Sequence, residues 1–335
     1  MKQFLKKLAP SLTGKASDPT GPTRLFVHIP KTAGTSFRTA AETRFGTSRV
    51  LRDYGPNSAV TSGVVKTKVY EEKDTSKILQ AIETEKALLV TGHFPIQKYG
   101  RIIGLKNTAT IFRDPIEQVI SHYRHAVAHH GFEGNLLAFA ERKGIRNLQT
   151  RFLFNLDPAL VGIFGLTESY RETLMLINDR WGWDLKHIKK NVSDRFDRQG
   201  VEVSDAERSE LELLNSEDRS LYARACHVFG NSLYCLEHRI ASDPRGAITS
   251  IKIGEPLAGW AFDMCSENPI AVILVVNGKE VAQTNCSHPS AECARWNLTQ
   301  ANYAGFMFEE MASTEDKIEI RDSATGLVLD SEVAT

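Results

Sequence analysis

Residues 24–46 read RLFVHIPKTAGTSFRTAAETRFG, and the reading of this stretch decides the fold. Leu25 to Ile29 is an apolar run of strand length, Phe37 to Phe45 can be helical, and PKTAGTS is the turn between them. Backbone N–H groups at the start of such a helix point at one place and carry the positive end of its dipole, which suits an anion. Gly34 lets the backbone approach closely, Thr35 and Ser36 add hydroxyl donors, and Lys31 adds a full charge. The turn reads as a phosphate cradle, with Lys31, Thr32, Ala33, Gly34, Thr35 and Ser36 as its candidate ligand contacts.

Two further segments repeat the pattern of an apolar strand running into a polar cluster. Ala87 to Val90 leads into Thr91-Gly92-His93, and Thr108 to Phe112 leads into Arg113-Asp114-Pro115. Asp114 as N-cap with Pro115 at the first helical position starts a helix that runs to about His130. Helical spacing marks Ser76–Glu85, Tyr170–Asn178 and Ala206–Phe229, and a short apolar stretch spans Val161–Leu166. Arg49 to Thr75 is polar and turn-prone and carries no firm assignment. Strands alternating with helices imply an α/β fold, a P-loop-like parallel sheet flanked by helices. Ligands of such a sheet sit at the carboxyl ends of its strands, so the three polar clusters are expected to share one crevice.

From Ala247 the texture changes to short β-rich runs: 247–253, 257–264, 270–276, 279–283, 303–308, 317–321 and 327–329. Asn277-Gly278 between two of them is a hairpin signal. Seven short strands imply a C-terminal all-β sandwich domain. The expected division is a flexible leader at 1–23, an α/β domain at 24–240, a linker at 241–246 and the β-sandwich accessory domain at 247–335.

The chain has 335 residues, 41% apolar and 24% charged, with zero formal net charge, as in an ordinary globular protein. The charge is unevenly placed. Residues 247–335 carry 5 Lys+Arg against 13 Asp+Glu, leaving 36 against 28 for residues 1–246. A mildly basic first part fits a small anionic ligand and not nucleic acid. No membrane span and no signal-peptide core is evident, and five cysteines are an odd number suited to reduced thiols. These readings place the chain in a bacterial cytoplasm.

A nucleoside-triphosphatase P-loop ends in Gly-Lys-Ser/Thr, whereas here the lysine precedes the glycine by three residues. HIPKTAGTSF resembles instead the 5′-phosphosulfate loop of sulfotransferases that use 3′-phosphoadenosine 5′-phosphosulfate (PAPS), above all the branch of the uronyl and heparan sulfate 2-O-sulfotransferases. The resemblance covers roughly residues 24–240 and is densest at 25–38, 89–125 and 163–173. It implies sulfuryl transfer from PAPS to a hydroxyl of a glycan or glycoconjugate, without a metal. Lys31 and the loop would hold the 5′-phosphosulfate. Arg113 and Ser121, in RDPxxxxxS, match the family's 3′-phosphate pair, with Arg124 one turn further on. His93, in TGHF, matches the catalytic histidine, whose near-neutral pKa suits a general base. The family often carries a second histidine just before that glycine, and this chain has Thr91 there. His122, His125, His129 and His130 suggest a metal, but no HExxH pattern and no third ligand accompany them. The competing readings are a P-loop kinase or NTPase, which would need a carboxylate after a later strand, and a noncatalytic glycan-binding protein on the same fold.

Overall fold

Leu25, Phe26 and Val27 are fully buried, and the strand they form, β1 (Arg24–Val27), lies at the centre of a five-stranded parallel sheet. A central parallel strand is covered on both faces, which is why it reads as an unbroken apolar run. The computed structural model describes residues 21–188 and 203–334, so most of the expected leader at 1–23 lies outside the described residues. With β2 (Val50–Asp53), β3 (Leu89–Gly92), β4 (Thr108–Phe112) and β5 (Ile163–Leu166), the spatial order is β2-β3-β1-β4-β5. The described helices of eight or more residues are α1 (Gly34–Phe45), α2 (Ile78–Glu85), α3 (Pro115–His130), α4 (Tyr170–Trp181), α5 (Asp205–Leu214) and α6 (Ser216–Glu237). The chain builds β2 and β3 on one side of β1, then returns to lay β4 on the other. The crevice at the carboxyl ends of β1, β3 and β4 is therefore the place where such a sheet receives its ligand.

Strand β2 falls in the region that carried no assignment, and the single helix expected over 206–229 is two, broken at the fully buried Asn215. Seven strands follow: β6 (Pro244–Ser250), β7 (Pro256–Asp263), β8 (Ala271–Val276), β9 (Lys279–Asn285), β10 (Gly305–Met311), β11 (Lys317–Asp322) and β12 (Val328–Val333). They form two antiparallel sheets, β10-β7-β6 and β12-β11-β8-β9. Asn277 and Gly278 both have positive φ, 49° and 79°, the turn chemistry that closes the β8–β9 hairpin. Leu257, Phe306 and Phe308 of the first sheet share one apolar cluster with Val272, Leu274, Ile318 and Ile320 of the second.

Of the segment 241–246, read as a linker, Pro244–Gly246 lie in β6, and Asp243 and Arg245 are buried as an ion pair at 2.7 Å. The C-terminal strands also enter the main core. Ala247, Trp260, Phe262, Trp296 and Ala304 belong to the same apolar cluster as Leu25, Phe112 and Phe164 of the parallel sheet. One guanidinium, Arg224 of α6, bonds the Leu329 carbonyl at 2.7 Å, the Asp330 carboxylate at 3.1 Å and the Gly246 carbonyl, and pairs with Asp157 at 3.3 Å.

Candidate active site

Strand register places the first group of side chains. Val27 is level with Gly92, and Asp53 is level with Gly92 on the other side. One residue beyond each, His28, His93 and Tyr54 therefore emerge side by side. The His28 and His93 rings meet edge-on with centroids 4.5 Å apart, and Tyr54 and His93 do the same at 4.6 Å. A 2.8 Å hydrogen bond joins His28 Nδ1 to the Tyr54 hydroxyl, which fixes the imidazole's orientation. The backbone is pinned too, because His28 N donates to the Gly92 carbonyl and His93 N to the Asp53 carbonyl, both at 3.0 Å. Gly92 has to be glycine here: a methyl carbon on it would fall 1.7 Å from the Asp53 carbonyl oxygen.

The loop that follows β1 forms the cradle. Lys31 and Ala33 hold left-handed φ of 68° and 65°, and α1 starts at Gly34 with Ala33 as N-cap. The N-cap supplies no side-chain bond and the first turn holds no carboxylate, so the positive end of the helix is left to an outside anion. Alternating left- and right-handed residues turn successive N–H groups into one concavity. Gly34 meets the need for space: a methyl carbon there would sit 2.0 Å from His28 Cδ2. Thr32 is fully buried and its hydroxyl donates to the Ile29 carbonyl at 2.9 Å, so its side chain serves the loop and only its backbone is available to a ligand. Ser36 is also buried, whereas Lys31, Ala33 and Thr35 are partly exposed.

Helix α3 closes the opposite wall. Asp114 caps it by accepting from Ile116 N and Glu117 N at 3.0 Å each, with Pro115 at the first position. Gln118 Nε2 donates to the Pro30 carbonyl at 3.0 Å, and Arg113 Nη1 reaches the Lys31 carbonyl at 3.5 Å, so the helix and the arginine both hold the cradle. Arg113 is itself held. Fully buried Gln149 accepts from Arg113 N at 3.0 Å and donates to its carbonyl at 2.9 Å, while Gln149 N donates to Asp218. Glu168 accepts from Asp114 N at 2.9 Å and from the Tyr222 hydroxyl at 3.2 Å, which makes it a brace for the start of α3. Ser121 lies on the same helix, partly buried, about 9 Å along the axis from Pro115.

The electrostatics of this crevice are positive. Desolvation, then the neighbouring His122 and Arg38, push His93 down to about 4. Desolvation and then the charge on Lys31 push His122 down to about 4 as well. His93 nevertheless keeps an exposed face, so protein crowds one side of the ring while solvent and solutes reach the other. His28 is buried, and desolvation, His93 and Arg38 hold it well below the ordinary histidine value. Buried nitrogens on α3, Nδ1 of His122 and Nε of Arg124, meet no hydrogen-bond partner among the described residues. Lys31 is a charged neighbour of His122, so the positive side of the crevice extends from the cradle to α3.

The structure thus brings together Lys31, the 32–36 backbone, Arg113 and His93. It adds His28, Tyr54, Gln118 and Gln149, which motif reading did not single out. His28 stood inside the quoted loop, and only the strand register reveals its partner. Thr91, at the family's second-histidine position, is fully buried in β3, and the second imidazole at His93 comes from β1 instead. His125 lies 4.6 Å from His129 and 5.3 Å from His130 between ring centroids, and among the described residues no three His, Cys, Asp or Glu side chains gather as a metal site.

No protein-family model and no curated protein sequence matches the chain. Among the solved structures similar to part of it are two sulfotransferases. One is mouse sulfotransferase SULT7A1 complexed with PAP, at 13% identity and a TM-score of 0.34, covering 61% of this chain. The chain spans 66% of that protein's length. The other is a sulfotransferase from Alicyclobacillus acidocaldarius, at 12% identity and a TM-score of 0.35, covering 65% of this chain and 97% of its own.

Proposed function

We propose that the protein is a sulfotransferase that moves a sulfuryl group from PAPS to a hydroxyl of a glycan or glycoconjugate, in the manner of the 2-O-sulfotransferases its loop resembles. The observation that carries this reading is the convergence of the Lys31 cradle, Arg113 and a solvent-reachable His93 in one positive crevice. The residues present fit the donor: a helix start without a side-chain cap, with Lys31 in the loop before it, suits its anionic groups. PAPS would supply the activated sulfuryl group and leave as adenosine 3′,5′-bisphosphate.

The chain's own residues do the rest. Lys31 and the 32–36 backbone bind the 5′ end and neutralise charge as it develops there, where positioning and electrostatics dominate transfer chemistry. Arg113 and Ser121 bind the 3′-phosphate, Arg113 through its fork and Ser121 through one short donor. His93, neutral at pH 7, accepts the proton of the acceptor hydroxyl on its exposed face. Negative charge in the cradle offsets the Arg38 charge that disfavours a protonated His93 and so raises the basicity of His93 when donor is bound. His28 and Tyr54 hold that ring in place. The β-rich C-terminal region would extend the acceptor-binding surface or mediate assembly.

The test is nucleotide-dependent stabilisation and turnover. Adenosine 3′,5′-bisphosphate should raise the melting temperature and ATP with Mg²⁺ should not, Lys31→Ala should abolish the effect, and His93→Ala should keep it while losing transfer from labelled donor. A protein indifferent to the bisphosphate, or one stabilised by ATP with Mg²⁺ alone, contradicts the donor assignment. Normal turnover in His93→Ala contradicts the base.

A further inference from the structure

At the other end of the parallel sheet, below the amino ends of β1, β4 and β5, lies a second cavity of about 740 Å³. Its walls come from both parts of the chain: Arg24, Lys106, Trp181 and Arg239 from the α/β part, and Met264 and Cys265 from the turn just after β7. Four of its lining residues are cationic, counting Arg180, against the single carboxylate of Asp179. Arg180 is already engaged, with Asp179 at 3.8 Å, Asp243 at 3.5 Å and the Cys265 sulfur.

The other cations are not neutralised in this way. Arg24 donates to Asn107 and lies over the Trp181 ring at 5.6 Å, but it has no carboxylate partner among the described residues. Its Nε is a buried donor without an acceptor, and so is the indole Nε1 of Trp181, a residue only 6% exposed. Arg239 is exposed at the rim. Asp263 and Glu267 stand near enough to Lys106 to favour its charged form, yet desolvation outweighs them and its pKa is lowered. A cationic wall of this kind is matched by acceptor oxygens, which an oxyanion in the cavity would bring to Arg24 and Lys106. The volume falls in the range of small-molecule sites, well beyond the needs of one inorganic ion.

We propose that this cavity binds a small organic oxyanion, with Arg24 and Lys106 as its recognition groups and the Ile163 and Met264 side chains against its apolar part. The site is separate from the cradle, and the inference does not rest on the sulfotransferase reading. Because its walls belong to both the α/β and the C-terminal parts, a bound anion would also tie them together.

The experiment is isothermal titration of the full-length protein with glucose 6-phosphate, glucose 6-sulfate and glucuronate, with inorganic phosphate as a fourth probe. At least one sugar anion should bind saturably with Kd below about 1 mM and more tightly than inorganic phosphate, and the best binder identifies the anionic group. Arg24→Gln and Lys106→Gln should each weaken that binding by about tenfold or more. Lys31→Ala should leave it unchanged. Absence of saturable binding by all four probes overturns the proposal. So does binding that survives Lys106→Gln in a protein of unchanged melting temperature, or binding that is lost in Lys31→Ala. Lys106 is only partly buried, so its variant is read even if Arg24→Gln fails to fold.

Discussion

The smallest decisive unit of this molecule is the contact between Gly34 and the His28 ring. It links the cradle to the histidine pair, because any side chain at residue 34 must push His28 off its hydrogen bond to Tyr54. Gly34→Ala is therefore expected to cost roughly 1–3 kcal/mol of stability through overpacking. It should also weaken adenosine 3′,5′-bisphosphate binding by more than about tenfold, measured by titration at fixed salt. Wild-type affinity in that variant would show that the ring and the cradle are independent. His28 also carries a pH signature. Its folded pKa is depressed and the unfolded value is near 6.5, so the unfolded chain takes up a proton that the folded chain refuses. The corresponding stability is complete above about pH 6.5 and declines as the pH falls, by up to about 1.4 kcal/mol per pH unit for one such group. Chemical denaturation between pH 7.5 and 5 should show this slope, and His28→Gln should flatten it by one proton; an unchanged slope assigns the effect elsewhere.

At the level of elements, three of the five parallel strands and the start of α3 were legible because each ends in a cluster whose chemistry is local. Asp114-Pro115 is an N-cap followed by a first-turn proline, and both roles depend only on neighbours in sequence. Strand β2 was not legible. Val50–Asp53 is four residues long and half polar, since Arg52 and Asp53 bond to partners that arrive from elsewhere in the chain. The Asp53 carboxylate accepts from Tyr70, Lys98 and Tyr99 at 2.5, 2.6 and 2.7 Å, and these bonds overcome burial to hold its pKa below the usual value. With β2 missing, Tyr54 could not be placed beside His28 and His93, and their pairing is a product of register that spacing does not encode. Gln149 was hidden for the same reason, being about 36 residues from the arginine it grips. Gln149→Leu keeps the volume but strips the Arg113 main chain of two bonds, each unmade bond costing about 1–3 kcal/mol. Bisphosphate affinity should fall about tenfold while the helical content by circular dichroism is retained; unaltered affinity would mean that Arg113 is positioned by other contacts.

Considered as a whole, the molecule joins its two parts through the core and not through a tether. The texture change at residue 247 falls inside β6, the first antiparallel strand, which begins at Pro244, and composition has no means of reporting that Trp260, Phe262 and Trp296 pack with the parallel sheet. The ring of Trp296 lies 5.4 Å from the Arg101 guanidinium, in the connection that leads from β3 to β4. A chain ending at Ile240 would leave that apolar surface open and the Arg224 guanidinium without its carbonyl and Asp330 partners. It is expected to aggregate or to lose cooperative unfolding in calorimetry, whereas a truncated protein with a sharp transition at the full-length melting temperature would show that the α/β part folds alone.

The shared core also sets a timetable for synthesis. Its members extend from Leu25 to Ala304, so the ribosome must release nearly the whole polypeptide before the cluster can close. Domains that fold as units can do so one after another from the amino terminus, but contacts of such separation delay collapse until late. Until then β1, the first strand of the sheet to be made, waits with Leu25, Phe26 and Val27 uncovered, and the nascent chain is expected to need chaperone shelter for longer than its leading motif would suggest.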